Sequence, residues 1–245
     1  MVLVNKIIEG IKKMDDFEVN IKFQTIKKKM GTYIFSVEGN IGSGKSTLVE
    51  YLKEHLKNVG DYKICYLQEP VDIWNTVTDK NGINILDKYY NNQTKYAFSF
   101  QMMAYITRLN QIKQVLEESE NCIIITERCL FTDREIFAKM LHDSGKMEDI
   151  EYTIYLKWFD SFLPKSPSSF IYLKTNPQTC MSRINKRNRK GEERINLDYL
   201  EDCNYYHNNW LCDKDDCLFL DGEKNINTEL VHKINQFISK FVKNN

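Results

Sequence analysis

Apolar and polar positions follow two patterns along this chain, and the shorter pattern predicts five β-strands. β-Branched and aromatic residues are concentrated in short runs, which is typical of strands. One run, CIIIT at 122–126, is almost continuously apolar, as expected of a strand with both faces covered. The predicted strands are residues 32–39, 62–70, 122–126, 168–174 and 217–221.

Between these runs, apolar residues recur at helical spacing. Leu48, Leu52 and Leu56, for example, lie on one face of the segment 45–57. Strands that alternate with helices predict an α/β fold with a parallel, five-stranded, doubly wound sheet flanked by helices. The predicted helices are residues 45–57, 85–90, 94–119, 130–143, 148–163, 177–187, 197–209 and 226–242.

Length and charge narrow the classes of protein that fit this pattern. The 245 residues contain no Pro/Gly/Ser-rich linker, which favours a single domain over residues 31–245. The 34 Lys and Arg residues balance 34 Asp and Glu residues, so any anion site must be local. No apolar run approaches the roughly 18 residues of a membrane span. We therefore expect neither a polymeric nucleic acid nor a membrane as partner.

Cysteine usage and the N-terminal segment bear on the location of the protein. The seven cysteines form no CxxC motif and several lie in apolar runs, which indicates reduced thiols and a cytoplasmic protein. The four histidines are isolated, which disfavours a zinc site.

Residues 1–30 lack a signal-peptide core and contain no arginine, so we interpret them as a short N-terminal extension, helical if it packs on the domain.

A phosphate-binding loop follows the first predicted strand. The stretch EGNIGSGKST at 38–47 fits the pattern G-x-x-x-x-G-K-[ST], between a predicted strand and a predicted helix. Glycines let several backbone N–H groups face one anion, and the helix adds the positive end of its dipole. The pattern indicates a nucleoside triphosphate and Mg²⁺, and by itself it does not distinguish a kinase from a GTPase, a motor or a transport ATPase. The alternative is a glycine-rich turn that binds nothing. The predicted loop residues are Gly39, Asn40, Ile41, Gly42, Ser43, Gly44, Lys45, Ser46 and Thr47.

Charged residues also end the next two predicted strands. Glu69 ends the second strand, where ligands bind in parallel sheets, and its carboxylate could take a proton from an attacking hydroxyl. Glu127 and Arg128 end the third strand, and we expect a Mg²⁺-side acid and an arginine that neutralises transferred charge. For each acid alone, a surface ion pair is the alternative interpretation.

A basic segment at 183–194 has two interpretations. RINKRNRKGEER holds six basic residues against two acids. It is either a solvated, charged helix end or a mobile lid that closes arginines on the phosphates. Its position after the fourth strand of a phosphate-loop protein favours the lid.

Together, several motifs give this sequence a family resemblance. EGNIGSGKST, QEPVDIW, FSFQMMAYITR, TERCLFTDREIF, RINKRNR and LDYLEDCNYYHNNWL keep their order and spacing from about residue 32 to 240. In this combination the chain resembles the cellular and viral deoxyribonucleoside kinases. The resemblance implies a phosphate-loop kinase fold and nucleotide salvage: the ATP γ-phosphoryl group is transferred, with Mg²⁺, to the 5′-hydroxyl of a deoxynucleoside. A homodimer through long helices is likewise implied.

The resemblance also implies roles for individual residues. Glu69 resembles the base that activates the 5′-hydroxyl. Arg128 and Lys45 resemble the catalytic cations. Ser46 and Glu127 resemble the residues that bind Mg²⁺. Further positions resemble the pocket for the base (Trp74, Leu86, Tyr89, Phe100, Gln101, Ala104 and Phe137), the holders of the sugar 3′-hydroxyl (Tyr90 and Glu192, with Glu193 as an alternative), the lid arginines (Arg183, Arg187 and Arg189) and the ATP adenine loop (Asp221, Glu223, Lys224 and Asn225).

Arg108 and Asp133 bear on the preferred base. The pair resembles the set in family members that accept deoxycytidine or purine deoxynucleosides. The physical chemistry agrees, since a carboxylate accepts from an exocyclic amino group but repels a keto oxygen such as that of thymine. We therefore expect deoxyadenosine, deoxyguanosine or deoxycytidine. The alternative is an ion pair on a helix surface.

Two positions depart from the family pattern. Cys129 replaces the usual serine after Glu127–Arg128, and a thiol is a weaker hydrogen-bonding group. Tyr89 stands where relatives carry a methionine over the sugar and base, so we expect a narrower pocket.

Two other functions remain as alternatives. A nucleoside monophosphate kinase of the thymidylate kinase type shares the loop and the lid, but the Glu69 carboxylate would repel an acceptor phosphate. A non-catalytic nucleotide-binding module would be expected to have lost Lys45, Glu69 or Arg128, and all three are present.

Overall fold

The structure of the protein, a computed structural model, describes residues 31–119, 121–163, 168–189 and 191–244. The expected N-terminal extension at 1–30 lies outside these ranges. The described strands are β1 (Tyr33–Glu38), β2 (Asn58–Val59), β3 (Tyr62–Leu67), β4 (Cys122–Glu127), β5 (Ser168–Lys174) and β6 (Cys217–Asp221).

These strands form one sheet in the order β2–β3–β4–β1–β5–β6. The α/β fold with a mostly parallel sheet is confirmed, but the prediction of five strands was wrong by one. The additional strand, β2, has two residues and pairs antiparallel with β3 at the sheet edge. A strand of two residues is too short to show a period in the sequence.

The helices largely coincide with the predicted segments. Two short pieces were not predicted: a helix after Pro70, and a 3₁₀ turn in the basic segment. The helices are α1 (Lys45–His55), α2 (Val71–Thr76), α3 (Ile85–Asn91), α4 (Gln93–Glu118), α5 (Leu130–Thr132), α6 (Lys139–Asp143), α7 (Asp149–Phe162), α8 (Pro177–Arg187), α9 (Leu197–Leu211) and α10 (Thr228–Asn244), with a π-helical segment at Asp133–Ala138 and the 3₁₀ turn at Glu192–Arg194.

The central strands are buried on both faces. All six residues of β1 and all six of β4 are buried, which explains their apolar sequences. Ile34 and Ile124 pack in the cluster that contains α4 and α7, whereas Phe35 and Ile125 pack with α1 and α10 on the other face. Among the described helices, none combines the length and the apolar character needed to cross a membrane.

Parallel pairing brings the ends of three strands to one edge. β4 pairs with both β1 and β3, so the residues that follow these strands lie side by side. Gly39, Glu69 and Arg128 each follow a different strand there. Ligands bind at the carboxyl edge of such sheets, and this arrangement explains why chemistry-bearing residues far apart in sequence meet.

Candidate active site

The phosphate loop adopts a conformation that depends on its glycines. Gly42 and Gly44 have φ values of 76° and 102°, in a region that L-residues with side chains rarely adopt. Gly44 is also the residue that precedes α1, so the first N–H groups of the helix border the loop. Backbone donors and the helix dipole therefore meet where the sequence predicts the phosphates.

Two side chains of the loop are fixed by nearby backbone. Lys45 Nζ donates to Asn40 O at 2.7 Å, and Asn40 Nδ2 donates to Leu200 O of α9 at 2.7 Å. Burial, followed by repulsion from Arg128, lowers the pKa of Lys45 to about 8 against the attraction of nearby carboxylates. Lys45 therefore still carries its proton at pH 7, so an arriving triphosphate would find a buried ammonium group.

Arg183 is the first of the predicted lid arginines. Its guanidinium donates to Ser43 O and to Gly222 O, both at 2.9 Å. Arg183 thus joins the phosphate loop to the loop after β6, and it is not among the residues that line the main cleft.

On the acceptor side, Glu69 lies between two guanidinium groups. Its Oε1 is 3.2 Å from Arg108 Nη2 and 3.4 Å from Arg128 Nε. Burial alone would raise the pKa of Glu69, but Arg128, Arg108 and Lys45 outweigh burial and hold the pKa below its ordinary value. Glu69 is therefore a carboxylate at neutral pH, as a proton acceptor must be.

Arg108 and Asp133 form a buried pair. Arg108 Nε donates to Asp133 Oδ2 at 3.0 Å, and the two residues are only 1% and 2% exposed. Arg108 also donates to Glu127 O at 2.9 Å, so it contacts three of the predicted site residues. The alternative of an ion pair on a helix surface does not describe this geometry.

The chain around Asp133 is π-helical rather than a continuous α-helix. The predicted helix at 130–143 is divided by the segment Asp133–Ala138, whose wider turns place Asp133 and Phe137 on the cleft side. The Arg128 guanidinium carbon lies 4.8 Å from the centre of the Phe137 ring. The segment therefore supplies both a polar and an aromatic group to the site.

Aromatic residues from α2, α3 and α4 form one wall of the cleft. The Trp74 and Phe100 rings meet edge to face at 5.2 Å, and Tyr89 stacks on Phe100 at 4.6 Å. Leu86 and Ala104 complete this wall. Gln101 borders it, and its buried Oε1 has no hydrogen-bond partner among the described residues. The pocket thus combines flat apolar faces with a polar group that a ligand could satisfy.

The cleft contains a tyrosine pair that sequence reasoning missed. Tyr89 and Tyr199 approach through their hydroxyl oxygens at 3.1 Å, and both line the cleft. Val71 is a further lining residue that was not predicted. Tyr199 is one of 14 tyrosines, and its place in a motif of the resembling family was the only signal that could have singled it out.

The predicted lid acid, Glu192, pairs with two of the predicted lid arginines. Glu192 accepts from Arg187 Nη2 at 2.6 Å and from Arg189 Nη1 at 3.3 Å, and it lines the cleft together with Tyr90. Glu193 is exposed and accepts from the Gly191 backbone instead. The structure thus places Glu192, rather than its neighbour, in the cleft.

Ser46 and Glu127 lie together on the phosphate side. Ser46 Oγ donates to Glu127 Oε1 at 2.9 Å. Hydroxyl and carboxylate oxygens are ligands that Mg²⁺ accepts, and Mg²⁺ bound with a nucleotide takes only one or two protein groups. The described residues include no cluster of three His, Cys, Asp or Glu side chains that could hold a metal ion. The pair fits Mg²⁺ bound together with substrate phosphates.

The predicted adenine loop lies outside this cleft. Asp221, Lys224 and Asn225 line a separate hollow at the end of β6. Glu223 accepts from Asn176 N at 2.8 Å and from Thr179 Oγ1 at 2.9 Å, so it connects the loop to the N-terminal end of α8.

Of the other predicted residues, those that line the main cleft are Ile41, Gly42, Lys45, Ser46, Glu69, Trp74, Leu86, Tyr89, Tyr90, Phe100, Gln101, Ala104, Arg108, Glu127, Arg128, Asp133, Phe137, Arg187, Arg189 and Glu192.

Comparisons with known proteins show to which family the chain belongs. Residues 35–243 match the family model described as deoxynucleoside kinase. The chain is 36% identical to deoxycytidine kinase 2 of Gallus gallus over 200 residues, which cover 73% of this chain and 74% of the relative. It is 34% identical to deoxycytidine kinase of Homo sapiens over 197 residues (72% and 74%) and 33% identical to mitochondrial thymidine kinase 2 of Homo sapiens over 181 residues (73% and 64%).

These matches confirm the family that the motifs indicate and the kinase activity that it implies. The chain belongs to the deoxynucleoside kinase family and is an ATP-dependent deoxynucleoside kinase.

Proposed function

We propose that this kinase phosphorylates the 5′-hydroxyl of deoxycytidine or of a purine deoxynucleoside, in nucleotide salvage, and that thymidine is a poor substrate. The observation that carries the proposal is the buried Arg108–Asp133 pair in the cleft. In the same cleft, the Gln101 side chain offers an amide oxygen that has no hydrogen-bond partner among the described residues. Asp133 and Gln101 can both accept from an exocyclic amino group, which cytosine and adenine carry and thymine lacks.

The names of the relatives support this substrate preference, but one of them also indicates a different substrate. Two of the three relatives named above are deoxycytidine kinases, whereas the third is a thymidine kinase. Thymidine is therefore the second candidate substrate. Its keto oxygen would face the Asp133 carboxylate, and two acceptors repel each other when neither carries a proton.

In the proposed reaction, Glu69 accepts the proton of the 5′-hydroxyl as the oxygen attacks the γ-phosphorus. Lys45 and Arg128 neutralise charge that develops on the transferred group, and the buried site strengthens both interactions. Arg128 is suited to this role because its Nη1 is buried without a hydrogen-bond partner in the described structure. Mg²⁺, when bound, neutralises phosphate charge; Ser46 and Glu127 would hold it.

The location of Glu69 disfavours a monophosphate as acceptor. Glu69 is ionised, and it borders the place where the acceptor must reach the γ-phosphate. A phosphorylated acceptor would bring its own negative charge against this carboxylate. The two guanidinium groups near Glu69 are already paired with it, so they offer little compensation.

We further propose a cytoplasmic homodimer. All seven cysteines lie in the described ranges and all are free thiols, which suits a reducing compartment. Four exposed apolar side chains support a dimer through α4 and α7: Ile106, Ile150, Ile154 and Trp158. Such a patch is typical of an interface between subunits.

A direct test compares four acceptors. The purified protein is incubated with ATP, Mg²⁺ and deoxycytidine, deoxyadenosine, deoxyguanosine or thymidine, and the 5′-monophosphate is measured. We expect kcat/KM for at least one of the first three nucleosides to exceed that for thymidine by about tenfold. This ratio corresponds to the free energy of one lost polar contact. Thymidine as the best substrate would contradict the proposal, and product formed only from monophosphates would indicate the rival kinase.

The first prediction concerns Glu69 as the proton acceptor. Glu69→Gln should lower kcat by about 10²–10⁴-fold, because an amide cannot take the proton. Binding of ATP to the variant should remain close to that of the wild type, as measured by calorimetry. Glu118→Gln, at the exposed end of α4, is the matched control and should not change kcat. Wild-type turnover by the Glu69 variant would exclude the role of base.

A further inference from the structure

The backbone of Arg128 has an unusual conformation. Its φ is 63°, in the left-handed region that residues with a β-carbon rarely adopt. Strained backbone of this kind persists only where surrounding contacts hold it, and it is often found at functional sites. Something in the structure must therefore stabilise this turn immediately after β4.

Two hydrogen bonds hold the turn on its strand side. The Arg128 N–H donates to Val37 O of β1 at 3.0 Å, and Thr126 Oγ1 donates to Arg128 O at 2.9 Å. Both backbone polar groups of Arg128 are thus satisfied. Thr126 is buried, so water does not compete for its hydroxyl group.

The next residue is held by Thr132. The Cys129 N–H donates to Thr132 Oγ1 at 3.0 Å, and Thr132 Oγ1 in turn donates to Glu38 Oε1 at 2.7 Å. Ser36 Oγ donates to the same carboxylate oxygen at 2.5 Å. Glu38 and Thr132 are fully buried and neither lines the cleft. They therefore form a support behind the site, out of reach of substrate.

The Cys129 thiol lies beside these hydrogen bonds but does not replace the Thr132 hydroxyl in them. Burial raises the pKa of the Cys129 thiol to about 12, and the charge of Glu38 adds to the effect. The thiol therefore keeps its proton, and it lies 3.6 Å from Thr132 Oγ1. Because the thiol is a weak hydrogen-bonding group, the Thr132 hydroxyl carries the connection between this turn and Glu38.

Glu38 also connects this turn to the nucleotide side. It is the last residue of β1 and directly precedes Gly39, the first residue of the phosphate loop. The chain of hydrogen bonds Glu38–Thr132–Cys129 thus links the start of that loop to the residue after Arg128. A fixed distance between these two segments is what in-line transfer from ATP to an acceptor requires.

We infer that Thr132 is a positioning residue for the phosphoryl transfer, with Glu38 as its fixed partner. It holds the strained turn so that the Arg128 guanidinium remains beside Glu69 and over Phe137. The inference rests on the proposed role of Arg128 in the reaction. Thr132 acts through Arg128 and does not itself touch a substrate.

The test is the substitution Thr132→Val, which keeps the shape and removes the hydroxyl group. Because a misplacement of about 1 Å can cost on the order of 100-fold in rate, we expect kcat to fall at least tenfold. The KM for ATP should change less than threefold, and Thr132→Ser should restore most of kcat. Thr32→Val, a buried threonine that directly precedes β1, is the matched control and should keep kcat.

Three results would overturn the inference: a Thr132→Val variant with kcat within twofold of wild type, a Thr32→Val variant with an equal loss, or no rescue by serine. Thermal unfolding of each variant is measured in parallel. If Thr132→Val does not fold, Thr126→Val and Thr126→Ser test the other side of the turn, with the same expected loss and rescue.

A double-mutant cycle separates this inference from the role of Arg128. Arg128→Gln should by itself lower kcat, and wild-type turnover of that variant would contradict the proposed role of Arg128. In the Arg128→Gln background, adding Thr132→Val should cost less than twofold, because residues that act as a unit are not additive. Equal fold losses in both backgrounds would show that Thr132 acts independently of Arg128.

Discussion

At the scale of single residues, two acids of the site have pKa values that move in opposite directions. Cations surround Glu69 and hold its pKa below the ordinary value. Burial raises the pKa of Asp133 to about 6, although Arg108 opposes the rise. Glu69 therefore stays ionised throughout the range in which Asp133 gains its proton.

This difference gives the second prediction, which concerns base selectivity and pH. At pH 7.5 Asp133 is ionised and accepts from an amino group. At pH 5.5 it is mostly protonated and can instead donate to a keto oxygen. The ratio of kcat/KM for deoxycytidine to that for thymidine should therefore fall roughly fourfold or more between pH 7.5 and 5.5. Steady-state kinetics with both nucleosides at each pH measure the ratio.

The control for this prediction is Asp133→Asn, whose side chain does not titrate in this range. Its ratio should be nearly independent of pH. A ratio in the wild type that rises on acidification, or that stays flat as in the variant, would contradict the role of Asp133 as reader of the base.

The sequence predicted most residues of the cleft but not their contacts. Arg108 and Asp133 could be paired from the family resemblance, yet their burial and the contact of Arg108 with Glu69 could not. Such contacts depend on how α4 packs against β3 and against the segment that follows β4, and no local pattern encodes that packing. The same holds for Tyr199, which reaches Tyr89 from a helix that lies 110 residues further along the chain.

At the scale of elements, the phosphate loop and α8 pack without space for a side chain at Gly42. A β-carbon there would lie 2.5 Å from Cys180 O and 2.9 Å from Ile184 Cγ1. Gly82 has nearly the same φ, 77° against 76°, but a β-carbon there would meet nothing within 4 Å. The two glycines therefore separate the cost of the backbone conformation from the cost of close packing.

The third prediction compares Gly42→Ala with Gly82→Ala. Both alanines carry the left-handed backbone cost of about 1–2 kcal/mol, equivalent to a melting-temperature loss of about 2–8 °C in a chain of this size. Gly42→Ala must also displace the loop from α8, so we expect at least twice the loss of Tm and a tenfold or greater rise in the Kd for ATP. Calorimetry measures both quantities. Equal effects of the two alanines would contradict the packing argument.

Elements with a clear period were predictable, and short or distorted ones were not. The apolar run at 122–126 gave β4 within one residue, and the spacing of Leu48 and Leu52 gave α1. The helix Val71–Thr76 has only six residues, less than two turns, so no period was visible. The π-helical segment after Thr132 packs against α4 and α9, and a helical repeat in the sequence cannot reveal such packing or the wider turns.

At the scale of the whole molecule, one helical face of α7 remains open. Ile150, Ile154 and Trp158 follow one another at intervals of four residues and are 66%, 40% and 42% exposed. Ile106 of the adjacent helix α4 is exposed as well. Aromatic and aliphatic side chains on one face of a helix are typical of the buried centre of a subunit interface.

The fourth prediction tests this face. The double substitution Ile154→Glu with Trp158→Glu should convert the proposed homodimer to a monomer, because paired glutamates would be desolvated against each other at a twofold interface. Sedimentation measures the mass. Tyr205→Glu, at an exposed aromatic residue of α9, is the matched control and should leave the mass unchanged. A monomeric wild type, or a double variant that remains dimeric, would contradict the proposal.

Glu192 has a consequence for how the two substrates influence each other. It pairs with Arg187 and Arg189, and in the proposed roles a sugar hydroxyl needs the acid while ATP needs the arginines. A nucleoside that engages Glu192 loosens both arginines, and a triphosphate that draws the arginines away leaves the acid unpaired. By thermodynamic reciprocity, each substrate then raises the affinity for the other by the same factor. The three side chains would therefore favour the closed conformation of the predicted lid only when both substrates are bound.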